Sequence, residues 1–162
     1  MDYTTQITDL RTRREQIIND FRKEKGQDEE HFEYYPIDER WKLVGNVTIR
    51  KPREGMEDYS IKFSRVGKID VDFGNNNLLK FNLYQIENEE DSLYIYIKDG
   101  TSGISSYGLG RFIPVFKEKD SYSVDFNLAF TPACGHVEGT ACPLTRESTG
   151  VAIEAGEKAE RH

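Results

Sequence analysis

The sequence predicts a mainly β fold: an antiparallel meander forming a small barrel or sandwich, with an N-terminal amphipathic α-helix packed on it. Three observations predict it. Apolar residues recur at three- and four-residue steps only at the start of the chain. From residue 42 onward the apolar period drops to two. Short Gly-, Asn- or acid-rich breaks separate the alternating runs, as turns do.

Ile7, Leu10, Arg14, Ile17, Ile18 and Phe21 share one helical face. Thr4 or Thr5 is placed to cap that helix, and Gly26 to end it. "KGQDEEHFEYYPIDERW" follows as a connector in which Pro36 stops regular structure. Leu43, Val47 and Ile49 then alternate, as do Ile61 and Phe63, and Ile69, Val71 and Phe73. Leu79, Phe81 and Leu83 continue the pattern, followed by Leu93, Ile95 and Ile97. Arg111, Ile113 and Val115 alternate with Phe112 and Phe116, and Tyr122, Val124, Phe126 and Leu128 close the series. Seven strands are expected, with turns at "VGK" (66–68), "GNNN" (74–77), the acidic loop 87–91 and "EKDS" (118–121). Residues 1–30 are thus helix and connector, and 31–158 the β domain. The polar end "AGEKAERH" is expected to fray, with 159–162 a tail outside the domain. The whole is one folded unit, since 162 residues can bury a core without staples.

Charge excludes some partners. The net charge is −7, with acids gathered in "DEEHFE" and "ENEEDS", so nucleic acid is not an expected partner. The basic "RTRRE" is offset by nearby acids. No apolar run is long enough to cross a bilayer as a helix, so no membrane partner is expected. "MDYTTQITDL" has neither a basic start nor an apolar stretch, so the cytoplasm is the expected compartment. The oligomeric state is not legible.

Two segments carry the candidate chemistry. "KDGTSGISSYGLGRF" (98–112) holds four glycines and reads as a long hairpin with a bulge near Gly108 and Gly110. A phosphate cradle is the rival reading, although no Lys-Ser/Thr pair and no helix follows. Ser123, Asp125 and Asn127 alternate with Tyr122, Val124 and Phe126, so an extended strand places Asp125 and Asn127 on one face. Arg111 is the expected partner of Asp125, either as a register-fixing ion pair or as part of a polar patch that orients a ligand.

The second segment, "TPACGHVEGTACPL" (131–144), contains both cysteines and one of the three histidines. Cys134, His136 and Cys142 offer three ligands to one Zn²⁺, but the spacing is looser than that of standard zinc sites. Cys134 and Cys142 can instead form a disulfide, although a reducing compartment disfavours one. A thiolate nucleophile with His136 as base is a third reading, and buried free thiols bracing the turn a fourth. The reading adopted is structural: the cysteines shape a loop, and no cofactor is expected, zinc being the alternative.

"YYPIDERW", "KDGTSGISSYGLGRF", "VDFNLAFTPACGHVEGTACPL" and "IEAGEK" occur in this order, and together they resemble the prokaryotic domain-of-unknown-function family 1684. The resemblance runs from about residue 32 to 158. It implies no established activity, but it concentrates attention on particular residues. Asp99, Thr101, Gly103, Tyr107, Gly108, Gly110 and Arg111 match the family's loop motif; Asp125, Phe126 and Asn127 match the next segment; Cys134, Cys142, Pro143 and Leu144 match the cysteine segment. Ser105 stands where the family pattern has Glu, Ser106 where it has Thr, and Thr131 where it has Asn. Gly135-His136 replaces Ala-Tyr, and Thr145-Arg146 replaces two prolines. A family-wide mechanism using that glutamate or this histidine is therefore not expected here.

Three functions are carried forward. The first is binding of a small polar or anionic ligand between the 98–112 loop and the 122–128 strand. There Arg111 holds charge and Asp125 fixes Arg111; Asn127 and Tyr107 supply hydrogen bonds, Thr101 shapes the loop, and Asp99 is a further ligand-binding candidate. The second is a metal- or thiol-dependent hydrolase-like enzyme using Cys134, His136 and Cys142. The third is an interaction module displaying Tyr34, Tyr35 and Trp41, which otherwise pack beneath the helix.

Overall fold

The computed structural model describes residues 2–53, 63–86 and 92–159. Helix α1 (Tyr3–Glu24) is followed by a two-residue strand β1 (Glu33–Tyr34). Six further strands then close into an antiparallel barrel: β2 (Lys42–Arg53), β3 (Phe63–Asp72), β4 (Leu78–Ile86), β5 (Leu93–Ile97), β6 (Arg111–Lys117) and β7 (Tyr122–Asp125). Each strand pairs with its sequence neighbour, and β2 pairs with β7 to close the ring. The last strand, β8 (Glu157–Lys158), returns to pair with β1. Among the described residues, no helix is long and apolar enough to cross a membrane.

Alternation decides which residues fill the barrel. Ile69, Val71, Phe81, Leu83, Ile95, Ile97, Ile113, Val115 and Val124 form one buried cluster, so the barrel is packed with aliphatic side chains. Their neighbours on the other parity, Tyr84, Tyr96 and Phe112, face outward with Phe63 and build a second, aromatic cluster on the barrel's outer surface. Phe112 lies between Tyr96 (centroids 4.1 Å apart) and Phe130 (5.6 Å), stacked on both.

The structure corrects several expectations. "VGK" is not a turn but the middle of β3, which merges two expected strands into one through an irregularity between Arg65 and Gly67. Gly67 is needed there because a Cβ at that position would lie 2.1 Å from the Thr48 carbonyl oxygen of β2. Ile61 and the 87–91 loop fall outside the described residues. The strand expected over 122–128 stops at Asp125; residues Phe126–Leu128 form a 3₁₀ turn capped by the Asp125 side chain, which accepts from Asn127 N at 3.0 Å. The turn at 74–77 is present, with Asn75 and Asn76 at φ 52° and 62° in the left-handed region that asparagine tolerates.

At the N-terminus the cap of α1 is Asp2, accepting from Thr5 N at 2.8 Å, rather than Thr4 or Thr5. Only Ile7 and Ile18 of the expected helix face are buried, while Leu10 and Ile17 stay exposed. The helix is therefore held largely by polar and stacking contacts. Tyr3 Oη donates to Asp125 Oδ2 (2.6 Å), Arg11 Nη2 to the Asn127 carbonyl (2.9 Å) and Arg14 Nη2 to the Thr131 carbonyl (2.7 Å). The Arg11 guanidinium lies 4.2 Å above the Tyr34 ring and that of Arg14 lies 3.8 Å above Phe130. At the other end, Ala155–Lys158 is ordered rather than frayed. Ile153 and Ala155 pack into the barrel core and Glu157 is 1% exposed.

Candidate functional site

The residues expected to line one ligand site fall into separate networks. Arg111 does not pair with Asp125. Its Nη2 donates to Asp99 Oδ2 and to the Ile153 carbonyl, both at 3.0 Å, and its Nη1 donates to the carbonyls of Ala155 and Glu157. Arg111 opens the inward face of β6, so its guanidinium meets the C-terminal segment where that segment enters the core. Asp99 also accepts from Ile153 N (3.1 Å) and from the amide and hydroxyl of Thr101 (2.9 and 2.6 Å). This pair staples the C-terminal segment to the 98–110 loop. The loop amides of Ile104, Ser105 and Ser106 all turn inward onto the Thr101 carbonyl, which is the opposite of an anion cradle.

Asp125 and Asn127 do meet, but through the 3₁₀ turn and not through strand parity. Asn127 Nδ2 donates to Asp125 Oδ1 (3.0 Å) and to the Asp38 carbonyl (2.7 Å), and its Oδ1 accepts from Asp38 N (3.0 Å). The fully buried amide thus ties β7, the connector and, through Tyr3, the helix. Burial and the Asp125 hydrogen bond push the Tyr3 hydroxyl well above the ordinary phenol range.

Cys134 and Cys142 are joined as a disulfide, with Cα atoms 5.2 Å apart. Their sulfurs are bonded to each other, and His136 faces elsewhere, so the expected three-ligand metal set and the thiol–imidazole pair do not converge. Tyr107 Oη sits 3.1 Å from Cys142 Sγ. His136 lies stacked on Phe32 (4.2 Å) between two acids, with Nε2 2.6 Å from Glu157 Oε2 and Nδ1 2.9 Å from Glu30 Oε1. Burial disfavours the imidazolium, but the hydrogen bonds and charge of Glu157 and Glu30 outweigh it and raise the His136 pKa above its ordinary value. Among the described residues, no group of three or more His, Cys, Asp or Glu side chains is placed to hold a metal ion. The aromatic residues of the connector are not a free patch: Tyr35 is buried, Tyr34 bonds Glu15, and Trp41 packs edge-on to Phe126.

A cavity of about 380 Å³ opens instead between α1 and the aromatic outer face of the barrel. Arg14, Ile17, Ile18 and Phe21 supply its helical wall. Phe63, Ile86, Tyr94, Phe112 and Phe130 supply the floor. The third wall is the disulfide loop, through Pro132, Ala133, Cys134, Thr140 and Pro143. None of Asp99, Thr101, Tyr107, Arg111, Asp125 or Asn127 lines the cavity.

Arg14 is the charged group on this wall. Burial lowers its pKa, but a guanidinium starts so high that it keeps its charge at neutral pH. Its Nε makes no hydrogen bond, and the buried Glu157 carboxylate favours its charge through space without forming an ion pair with it among the described residues. The sequence does place Arg14 on the apolar helical face, between Leu10 and Ile17. A charge inside an apolar stripe is the signal that could have marked it.

The model of one protein family, described as "Protein of unknown function (DUF1684)", matches residues 29–158. The chain belongs to that family. Among solved structures it is similar to the solution NMR structure of an uncharacterized protein from Haloarcula marismortui. That likeness has 23% identity and a TM-score of 0.76, and covers 98% of this chain and 95% of the other. At that identity it speaks for the fold alone. No curated protein matches this member of the family in sequence.

Proposed function

We propose that this family member is a small-molecule-binding protein whose site is the cavity between α1 and the aromatic face of the barrel. One observation carries the reading: a concavity of about 380 Å³, within the size range of ligand sites, walled by aromatic and aliphatic side chains with one charged group on its edge. A well-packed domain does not leave a void of this size beside stacked aromatic rings without cost, because the lining forfeits both dispersion contacts and burial. An apolar or aromatic molecule restores both. Ile17, 66% exposed and on the cavity wall, marks the entrance. Ligand binding is thus retained from the sequence reading, while its place moves from the 98–112 loop to the underside of the helix.

The test uses the neutral fluorophore N-phenyl-1-naphthylamine, whose emission rises on leaving water. Saturable binding near one equivalent is expected. Ala133→Phe, which places a ring in the cavity from the loop wall, abolishes it while the melting temperature stays near that of the parent. A folded parent protein that gives no saturable signal overturns the proposal, as does an Ala133→Phe variant that binds unchanged.

A further inference from the structure

Resting on that cavity being a binding site, we infer that its natural class of ligand is a monocarboxylate with an aromatic or branched apolar body, held by Arg14. The two buried polar side-chain atoms without a hydrogen-bond partner among the described residues are Arg14 Nε and Thr131 Oγ1. They belong to residues already joined by the bond from Arg14 Nη2 to the Thr131 carbonyl. A buried donor left open is costly, and Glu157, which favours the Arg14 charge through space, accepts no hydrogen bond from it. Arg111, by contrast, has four acceptors around its guanidinium. Among the described residues, the buried cation with an unbonded donor is also the one that lines the cavity.

The donor set selects the head group. Stacking on Phe130 fixes the guanidinium plane, so its open edge points in a set direction. One Nη2 hydrogen is spent on Thr131, which leaves Nη1, without a hydrogen bond among the described residues, for one carboxylate. A phosphate ester carries close to two charges and three acceptor oxygens. The cavity wall offers no lysine, no second arginine and no run of backbone amides to meet them. The remaining walls, Phe63, Phe112 and Tyr94 among them, call for an apolar body.

Displacement of N-phenyl-1-naphthylamine by three probes of one shape decides the matter: 4-phenylbutyrate, 4-phenylbutanamide and 4-phenylbutyl phosphate. The acid is expected to bind about 10- to 100-fold more tightly than the amide, as a charge-assisted hydrogen bond predicts. Arg14→Met should erase that preference, and Arg14→Lys should restore part of it. Equal binding of acid and amide overturns the inference, and so does a preference that survives Arg14→Met or a phosphate that binds best. If Arg14→Met does not fold, the acid–amide ratio on the parent protein decides alone. Binding of the fluorophore without displacement by the acid refutes the carboxylate and spares the cavity; absence of fluorophore binding refutes both.

Discussion

Arg111 Nη2 lies 3.0 Å from Asp99 Oδ2, with the two side chains only 4% and 3% exposed. The pair sits where the C-terminal segment meets the barrel core, and three backbone carbonyls complete the guanidinium's partners. So buried an ion pair adds little by itself, but breaking it strands a charge.

Asp99→Asn should therefore cost about 3–5 kcal/mol of stability in urea unfolding. Amide exchange at Ile153, whose N–H donates to Asp99, should speed up beyond the global effect. Binding of N-phenyl-1-naphthylamine should persist at temperatures where the variant is folded, since neither residue lines the cavity. Loss of probe binding with stability intact would return Arg111 to the ligand site.

The His136 clasp predicts a pH dependence of definite sign. Its folded pKa is raised above the ordinary 6.5. The stabilisation is therefore fully present below that ordinary value and is lost as pH rises through the raised one. The groups facing the ring are Glu157 and Glu30, and Arg22 backs Glu30 at 3.2 Å. The stability difference between the parent and His136→Asn should shrink as the pH rises from the ordinary imidazole value through the raised one and into the alkaline range. Thermal unfolding across that range checks it, and a difference that grows with pH refutes the assignment.

The disulfide closes a short loop, its cysteines eight positions apart in sequence. Replacing both cysteines by serine should cost about 2–3 kcal/mol, the range expected for a small loop. Because that loop is one wall of the cavity, the fluorophore should also bind more weakly. Thiol titration of the unfolded protein checks the bond directly: free thiols should be found only after reduction.

Tyr3 anchors the start of α1 by donating to a buried carboxylate and accepting from the Asn127 amide. Tyr3→Phe should destabilise the protein by about 1.5–3 kcal/mol, the value of a hydrogen bond to a charged group. Exchange protection should fall first in the first turns of the helix. A variant as stable as the parent would mean that the Arg11 and Arg14 contacts and the apolar face hold the helix without this bond.

What the sequence by itself determined is local. A period of two places Ile95, Ile113 and Val124 inside and Tyr96 and Phe112 outside, and a step of three or four marks α1, because side-chain direction follows from backbone geometry alone. Asn75 and Asn76 mark their turn for the same reason. Tertiary structure decided the partners. Asp125 is the partner of Arg111 expected from sequence, but the structure pairs it with Asp99. Asp99 wins because Arg111 starts β6 opposite Ile97, two residues before the acid, while the return of residues 151–158 delivers three carbonyls to the same guanidinium. Likewise "VGK" reads as a turn until β2 lies against it, and Arg14 reads as one charge among several in "RTRRE" until Phe130 comes beneath it. Such pairings join residues from 12 (Asp99 to Arg111) to 116 (Arg14 to Phe130) positions apart, so they depend on how the chain closes on itself, which no local pattern of residue types encodes.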